Sequence, residues 1–180
     1  MDSSRISIKL FVENDEHFKL EDVVPVFHRW IQTHAIEDHL LIDVANYAHV
    51  KDGPGIVLVA HEGNFSLDTR GGRLGFTYQR KQQIQDSFDE RVRRVFETTI
   101  NAAALLQGAP PTGARLKFRG DELEFRICDR LFAPNDTETL EDVKPDLLKV
   151  WQKASLEHDA SDQELFEVSI KPANPVVIMR

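Results

Sequence analysis

The chain has 180 residues, 41% of them hydrophobic and 29% charged, which is the balance of a globular protein and not of a disordered chain. Its net charge of −8 repels phosphate backbones, so we expect no nucleic-acid partner. The single cysteine, Cys128, excludes an intramolecular disulfide and a cysteine-based zinc cluster. No apolar run approaches the roughly 20 residues that cross a bilayer, and residues 1–5 lack signal-peptide character, so we expect a cytoplasmic protein that binds no membrane.

The first predicted elements are a strand, a helix and a second strand. Apolar and polar side chains alternate over residues 6–11, which predicts a strand. A helix then begins near Asp22, the predicted cap, with Pro25 in its first turn and Trp30 on its buried stripe. A short apolar segment at residues 40–45 predicts the next strand.

The following segment predicts a long hairpin. Residues 56–60 are apolar on both faces, which indicates a strand covered on both sides. The alternation continues through His61 to residue 67, so His61 is expected on that strand and partly buried. Gly71-Gly72 tolerates the positive φ of a tight turn, and residues 74–78 form the returning strand.

The second helix has the clearest boundaries. Ser87 and Glu90 have the spacing of a capping box, in which each side chain bonds the other residue's backbone N–H. A continuous apolar stripe follows, and Gly108 predicts the C-terminal end before Pro110-Pro111.

The C-terminal third predicts a hairpin, a helix, a strand and a tail. Strands at residues 115–118 and 123–128 are expected to join through a turn at Gly120-Asp121. A third helix begins near Asp142, and a last strand covers residues 165–171. Residues 172–180 form an apolar, extended tail without a helix signal.

These elements predict a single α+β domain over residues 1–180. It contains one antiparallel or mixed sheet of about seven strands packed with three helices, in the order β-α-β-β-β-α-β-β-α-β. The phrase Leu-Glu-Asp-Val-x-Pro occurs at residues 20–25 and again at residues 140–145. Internal duplication, with halves at residues 1–81 and 82–171, and convergence on helix-start chemistry explain the phrase equally well.

Histidine and carboxylate side chains are densest between residues 34 and 68, and these residue types bind ligands or metals and transfer protons. The candidate ligand-binding residues are Asp43, His49, His61, Glu62 and Asp68. The spacing contains no His-x-x-x-His or His-Glu-x-x-His pair, so no metal site is assigned. The alternative is a set of solvated loop residues with one or two hydrogen-bonded histidines.

A group of arginines supplies a second candidate site. Arg70, Arg73 and Arg80 flank the predicted hairpin and could together bind an anion, although arginines are more often a solvated surface. The chain has no Gly-x-Gly-x-x-Gly, no phosphate-binding loop and no Gly-x-Ser-x-Gly elbow. Catalytic residues and cofactors therefore stay unassigned.

Residues 25–81 contain the segments VFHRWIQ, LLIDVANYAHV, GPGIVLVAHEGNFSLD and GGRLGFTYQRK. This stretch resembles an uncharacterised bacterial protein family that has no assigned activity. The resemblance implies a bacterial cytoplasmic protein and carries over no functional residues.

The lack of a catalytic motif favours a non-catalytic protein-binding or assembly protein. Its partner would be another protein or a second copy of the chain, contacted through the apolar tail at residues 172–180, because an extended tail can add a strand to a neighbouring sheet. A tail that docks on its own chain is the simpler reading. The alternative function is an enzyme or a small-molecule- or metal-binding protein with a His/Asp/Glu pocket near residues 43–68.

Overall fold

A computed structural model describes residues 5–13, 18–110, 116–160 and 165–179. The strands in these ranges are β1 (Ile6–Val12), β2 (Leu41–Tyr47), β3 (Gly55–Ala60), β4 (Gly63–Asp68), β5 (Gly75–Arg80), β6 (Phe118–Ile127), β7 (Ser155–Glu157) and β8 (Phe166–Lys171). The α-helices in the same ranges are α1 (Val24–Thr33), α2 (Phe88–Gln107) and α3 (Thr137–Val150).

The strands form one antiparallel sheet in the order β2-β3-β4-β5-β1-β6-β8-β7. β1 lies near its centre, where Ile8 pairs with Tyr78 of β5 and Phe125 of β6. β2 and β7 are the edge strands of the described sheet. The predicted α+β class is therefore confirmed, with eight described strands in place of about seven.

The three helices contribute to one hydrophobic cluster on a single face of the sheet. That cluster joins Ile8 of β1 and Phe125 of β6 to Phe27 of α1, Val92 of α2 and Leu147 of α3, all of them fully buried. The predicted capping box of Ser87 and Glu90 begins α2. Both tryptophans, Trp30 and Trp151, are buried, as their helical stripes predict.

The opposite face of the sheet carries polar and charged side chains and is called the polar face below. Cross-strand pairing brings Ser7 and Lys9 of β1, Thr77 of β5, and Glu124 and Arg126 of β6 to this face. Strand alternation places them there, since their neighbours in sequence point into the helix-covered core.

Three strand predictions need correction. Residues 56–67 form two strands, because His61 and Glu62 lie in the turn between β3 and β4. The hairpin predicted at Gly120 is one continuous strand, β6, and residue 115 lies outside the described ranges. Because Gly120 has no side chain, the C-terminal tail can pack closely against β6 at this position. A Cβ there would lie 2.0 Å from the carbonyl oxygen of Val176. β7 was not predicted because three residues give no usable alternation.

The repeated Leu-Glu-Asp-Val-x-Pro phrase occupies two different structural positions. Residues 20–23 form a 3-10 turn before α1, which has Val23 at its N-cap and Pro25 in its first turn. α3 instead begins at Thr137 after the cap Asp136, so residues 140–145 lie inside the helix. The prediction that α3 begins near Asp142 was therefore wrong. α1 begins two residues after Asp22, as predicted, but its N-cap is Val23 and not Asp22.

The two helices nevertheless connect their flanking strands in a similar way. α1 connects the central strand β1 to the edge strand β2, and α3 connects the central strand β6 to the edge strand β7. In each case the chain then returns through a meander to the neighbour of the strand where it started. The division into pseudo-halves stays a prediction, since the repeated phrase marks different points of the two helices.

The C-terminal tail packs on its own chain. The Val176 N–H donates to the carbonyl oxygen of Gly120 at 2.8 Å. The Gln107 side chain donates to the carbonyl oxygen of Ile178 at 3.0 Å and accepts from the N–H of Phe118 at 2.8 Å. Ile178 is 8% exposed, whereas Val177 is 67% exposed, so alternate tail residues face the protein and the solvent.

Replacing Ile178 with serine is expected to lower the free energy of unfolding by about 2 kcal/mol, because the buried side chain loses its apolar contacts. Urea denaturation followed by circular dichroism measures the change. The neighbouring Val177→Ser is the matched control and is expected to stay within about 0.5 kcal/mol of the parent. Equal losses for both variants would contradict tail docking.

Candidate functional site

The structure does not gather the five predicted ligand-binding residues. Asp43 lies on the edge strand β2, where its carboxylate accepts from the N–H of Val44 at 2.7 Å. His49 lies in the turn after that strand. His61 and Glu62 form the turn between β3 and β4, and Asp68 ends β4. His61 is exposed, so its predicted partial burial was wrong, because the chain turns there.

Arg80 lies at the opposite end of β5 from the predicted partners Arg70 and Arg73. Strand β5 has six residues and therefore spans about 17 Å. Arg80 instead lines a cavity of about 560 Å³ beside α2. The predicted group of three arginines is therefore split, because the strand separates its members.

His39, which sequence reasoning did not select, borders that same cavity. Its Nδ1 lies 2.9 Å from the carbonyl oxygen of Glu37 and must donate to it. Its Nε2 therefore accepts from the Tyr78 hydroxyl at 2.7 Å. Burial raises the pKa of the Tyr78 phenol, which keeps that proton in place. With both ring nitrogens engaged, His39 has the arrangement of a structural histidine.

The polar face contains a buried ion pair at the centre of the sheet. Lys9 Nζ lies 2.6 Å from Asp68 Oδ1, and each side chain is 1% exposed. The same carboxylate accepts from the Thr77 hydroxyl at 3.0 Å and from the N–H of Arg70 at 3.0 Å. The pair is thus closed to water and hydrogen-bonded on several sides.

Lys9 on β1 and Asp68 on β4 are separated by strand β5. They can meet because Gly75 of β5 has no side chain to block the path of the lysine. Gly75 pairs with Asp68 on one side and with Phe11 on the other. A Cβ at Gly75 would lie 2.4 Å from Lys9 Cε. The lysine side chain therefore crosses β5 over the glycine to reach Asp68. Burial lowers the pKa of Lys9, and the Asp68 carboxylate opposes that shift.

Arginine and glutamate side chains form ion pairs around this buried pair. Arg70, from the connection between β4 and β5, pairs with Glu124 of β6. Arg126 pairs with Glu124 and with Glu167 of β8. Arg73 stacks over the Phe11 ring at 3.5 Å. The β4–β5 connection is therefore held across β5 and β1 against β6.

These groups enclose a cavity of about 620 Å³, which we call the arginine cavity. It is lined by Phe11, Asp52, Arg70, Gly71, Arg73, Glu124, Arg126, Leu165 and Glu167. In the sheet order, β3 and β8 are five strand spacings apart, about 24 Å in a flat sheet. Asp52, before β3, and Glu167, on β8, nevertheless line one cavity, which therefore extends along the polar face.

The arginine cavity is rich in hydrogen-bond donors, because three guanidinium groups line it. Each guanidinium carries five N–H groups, and a carboxylate carries none. Arg70 Nε is buried and has no hydrogen-bond acceptor among the described residues. Arg126 Nε lies 3.0 Å from Glu124 Oε1, in an ion pair without hydrogen-bond geometry. Both Nε atoms are shielded from solvent, so a ligand oxygen would contact the exposed parts of these side chains, which are 25% exposed for Arg70 and 17% exposed for Arg126.

Sequence reasoning selected Arg70 and Arg73 but missed Glu124, Arg126 and Glu167. A usable signal was present, because polar residues alternate with Leu123, Phe125 and Ile127 along β6. The pairing of Arg126 with Glu167 across β6 and β8 could not be read from the chain, since it depends on strand register.

Cys128 follows β6 and contacts the Ser7 hydroxyl at 3.5 Å. Burial raises the pKa of its thiol, which keeps it protonated and poorly nucleophilic at neutral pH. A buried, protonated thiol of this kind is typical of a packing residue. Within the described ranges, no group of three or more His, Cys, Asp or Glu side chains is placed to hold a metal ion.

A second surface lies at the sheet edge. Strand β2 and its flanking residues expose large apolar side chains, with exposed fractions of 59% for Leu40, 54% for Ile42, 44% for Tyr47 and 45% for Val50. β2 pairs only with β3 among the described strands. An edge strand with apolar side chains is a common site of strand addition.

Comparisons with protein-family models, curated proteins and solved structures each gave no match to this chain. The bacterial origin suggested by residues 25–81 therefore stays a prediction. Among the described residues, no helix is long and apolar enough to span a membrane.

Acid is expected to weaken the ion pair between Arg73 and Glu122 at the rim of the arginine cavity, because it protonates the Glu122 carboxylate. Its carboxylate accepts two hydrogen bonds from Arg73, at 2.9 and 2.7 Å, and these bonds lower its pKa. Since the folded-state pKa is the lower one, this contribution to stability is present above the unfolded-state value. It is lost as pH falls through the folded-state value.

The measurement is the change in unfolding free energy between pH 7 and pH 3. In Glu122→Gln we expect this change to be smaller than in the parent by roughly 0.5–1 kcal/mol. Glu97→Gln is the control, since Glu97 is exposed on α2 and has no ion pair among the described residues. An unchanged pH dependence in Glu122→Gln would contradict the prediction.

Proposed function

We propose that the protein is a non-catalytic binding protein for a small organic ligand that bears an oxyanion, such as a carboxylate, in the arginine cavity. The observation that supports this most directly is the meeting of Arg70, Arg73 and Arg126 around one cavity. Guanidinium groups bind carboxylates and phosphates through paired, charge-assisted hydrogen bonds.

The chemistry of the lining favours binding over catalysis. The described lining residues supply guanidinium, carboxylate and apolar groups, with no imidazole, thiol or hydroxyl among them. A volume of about 620 Å³ is within the range of small-molecule sites. This proposal takes up the small-molecule alternative but moves it from residues 43–68 to the polar face.

Isothermal titration calorimetry tests the proposal with acetate, 3-phenylpropanoate and inorganic phosphate as probes. We expect at least one probe to bind, and Arg126→Gln to weaken that binding by about tenfold or more. Arg93→Gln is the matched control, because Arg93 is exposed on α2 away from the cavity.

Thermal melts of each variant establish that it is folded. Should Arg126→Gln fail to fold, Arg73→Gln replaces it, since Arg73 is 42% exposed and less embedded. No binding by any probe, or equal weakening in Arg93→Gln, would overturn the proposal.

A second candidate function is self-association through the apolar edge of β2. Two copies of β2 paired antiparallel would extend the same sheet and cover Ile42 and Tyr47. Asp43 is the only charged residue in the strand, so the pairing brings few like charges together. The tail-mediated form of assembly has less support, because Val176 and Ile178 contact their own chain.

Analytical ultracentrifugation over a concentration series tests this second candidate. We expect a dimer for the parent and a monomer for Ile42→Lys. Leu131→Lys is the control, since Leu131 is 93% exposed but lies between β6 and α3. A monomeric parent at every concentration would exclude self-association through β2.

We also propose a cytoplasmic location and no nucleic-acid partner. A single cysteine suits a reducing compartment, and the net charge of −8 opposes binding to phosphate backbones.

A further inference from the structure

One carboxylate on the wall of the arginine cavity, that of Asp52, forms no ion pair with any described residue. Asp52 lies in the connection between β2 and β3, and no donor among the described residues bonds its side chain. The other two lining carboxylates, Glu124 and Glu167, both pair with Arg126. The lining thus combines three arginine side chains with an Asp52 carboxylate that no described donor bonds.

The charge balance of the cavity bears on the ligand's net charge. Its lining contains three arginines and three carboxylates, Asp52, Glu124 and Glu167. Glu122, which pairs with Arg73 at the rim, adds one more negative charge. A simple anion would raise this negative charge further, whereas a ligand with equal positive and negative charge would leave it unchanged.

We propose that the ligand is a zwitterion of the α-amino-acid type with an apolar side chain. Its carboxylate contacts the Arg70 and Arg126 guanidinium groups, and its ammonium group contacts Asp52. Phe11 and Leu165 are the large apolar residues of the lining and contact the side chain. This inference rests on the proposed oxyanion-binding function and adds the ammonium contact to it.

Three probes that share one skeleton separate the contributions of the two charges. L-Phenylalanine carries both groups, 3-phenylpropanoate lacks the ammonium group and phenethylamine lacks the carboxylate. In calorimetric titrations of the parent protein, we expect L-phenylalanine to bind at least tenfold more tightly than 3-phenylpropanoate. Phenethylamine is expected to bind more weakly than either.

Asp52→Asn tests the ammonium contact. Asparagine tolerates the positive φ of this position, 54°, so the backbone is expected to keep its conformation. We expect the affinity difference between L-phenylalanine and 3-phenylpropanoate to fall to about threefold or less, while 3-phenylpropanoate binds no more weakly than before. Asp38→Asn is the matched control, because Asp38 is also exposed with a positive φ of 56° and lines the other cavity.

The outcomes separate the two proposals. If 3-phenylpropanoate binds as tightly as L-phenylalanine and Arg126→Gln weakens both, the zwitterion inference is overturned and the oxyanion site stands. If neither probe binds the parent protein, the zwitterion inference is overturned, and the oxyanion site is overturned with it when acetate and inorganic phosphate also fail to bind. An equal loss of discrimination in Asp38→Asn would also overturn the role of Asp52.

Discussion

Replacing Lys9 with methionine is expected to lower the free energy of unfolding by about 3–5 kcal/mol, the usual cost of removing one partner of a buried ion pair. Methionine has nearly the same length and still fills the space over β5. Asp68, 1% exposed, would keep its hydrogen bonds from Thr77 and Arg70 but lose its counterion. The loss is therefore electrostatic, with little contribution from a cavity.

Chemical denaturation of three further variants separates this effect from general perturbation. Lys81→Met, at an exposed position, is expected to change stability by less than about 0.5 kcal/mol. The double variant Lys9→Met/Asp68→Asn removes both charges and is expected to recover most of the loss. Asp68→Asn alone should be destabilised, since it leaves Lys9 buried without a counterion. A cost below about 1 kcal/mol for Lys9→Met would mean that water reaches the pair.

Replacing Gly75 with alanine is expected to destabilise the protein by about 2–3 kcal/mol through overpacking. The new Cβ would lie 2.4 Å from Lys9 Cε and 2.8 Å from the carbonyl oxygen of Leu10. Neither contact is tolerated, and the second involves the backbone of the central strand β1. The lysine side chain would have to leave its path to Asp68.

A double-mutant cycle measures how much of the Gly75→Ala cost comes from Lys9. In a Lys9→Ala background the close contact with Lys9 Cε disappears and only the contact with the Leu10 carbonyl remains. We expect the alanine at position 75 to cost at least about 1 kcal/mol less in that background. If the destabilisation by Gly75→Ala is the same in both backgrounds, the glycine is not needed for the lysine side chain to reach Asp68.

Periodicity predicted the well-packed elements correctly. The alternation of Ile6, Ile8 and Leu10 marks β1, and the Ser87–Glu90 capping box marks the start of α2. These signals succeed because each depends on residues close in sequence. Gly120 was misread because glycine serves turns and close contacts equally, and here it receives the tail at Val176.

The candidate site was predicted only in part. Arg70 and Arg73 were selected from their cluster in sequence, and both line the arginine cavity. Lys9 and Asp68 are 59 residues apart, so their ion pair gave no local signal. Arg126 looks in sequence like a solvated strand residue, because its ion pair with Glu167 depends on the pairing of β6 with β8.

Local residue order alone decides the α+β class, the positions of most strands and the polar character of alternate β6 residues. Which strands are neighbours, and therefore which charges meet, depends on packing between residues distant in the chain. The arginine cavity is one of the features that depend on packing between distant residues. It arises where the β4–β5 connection lies against β1, β6 and β8 on the polar face, and hydrophobic burial on the helix-covered face holds these strands together.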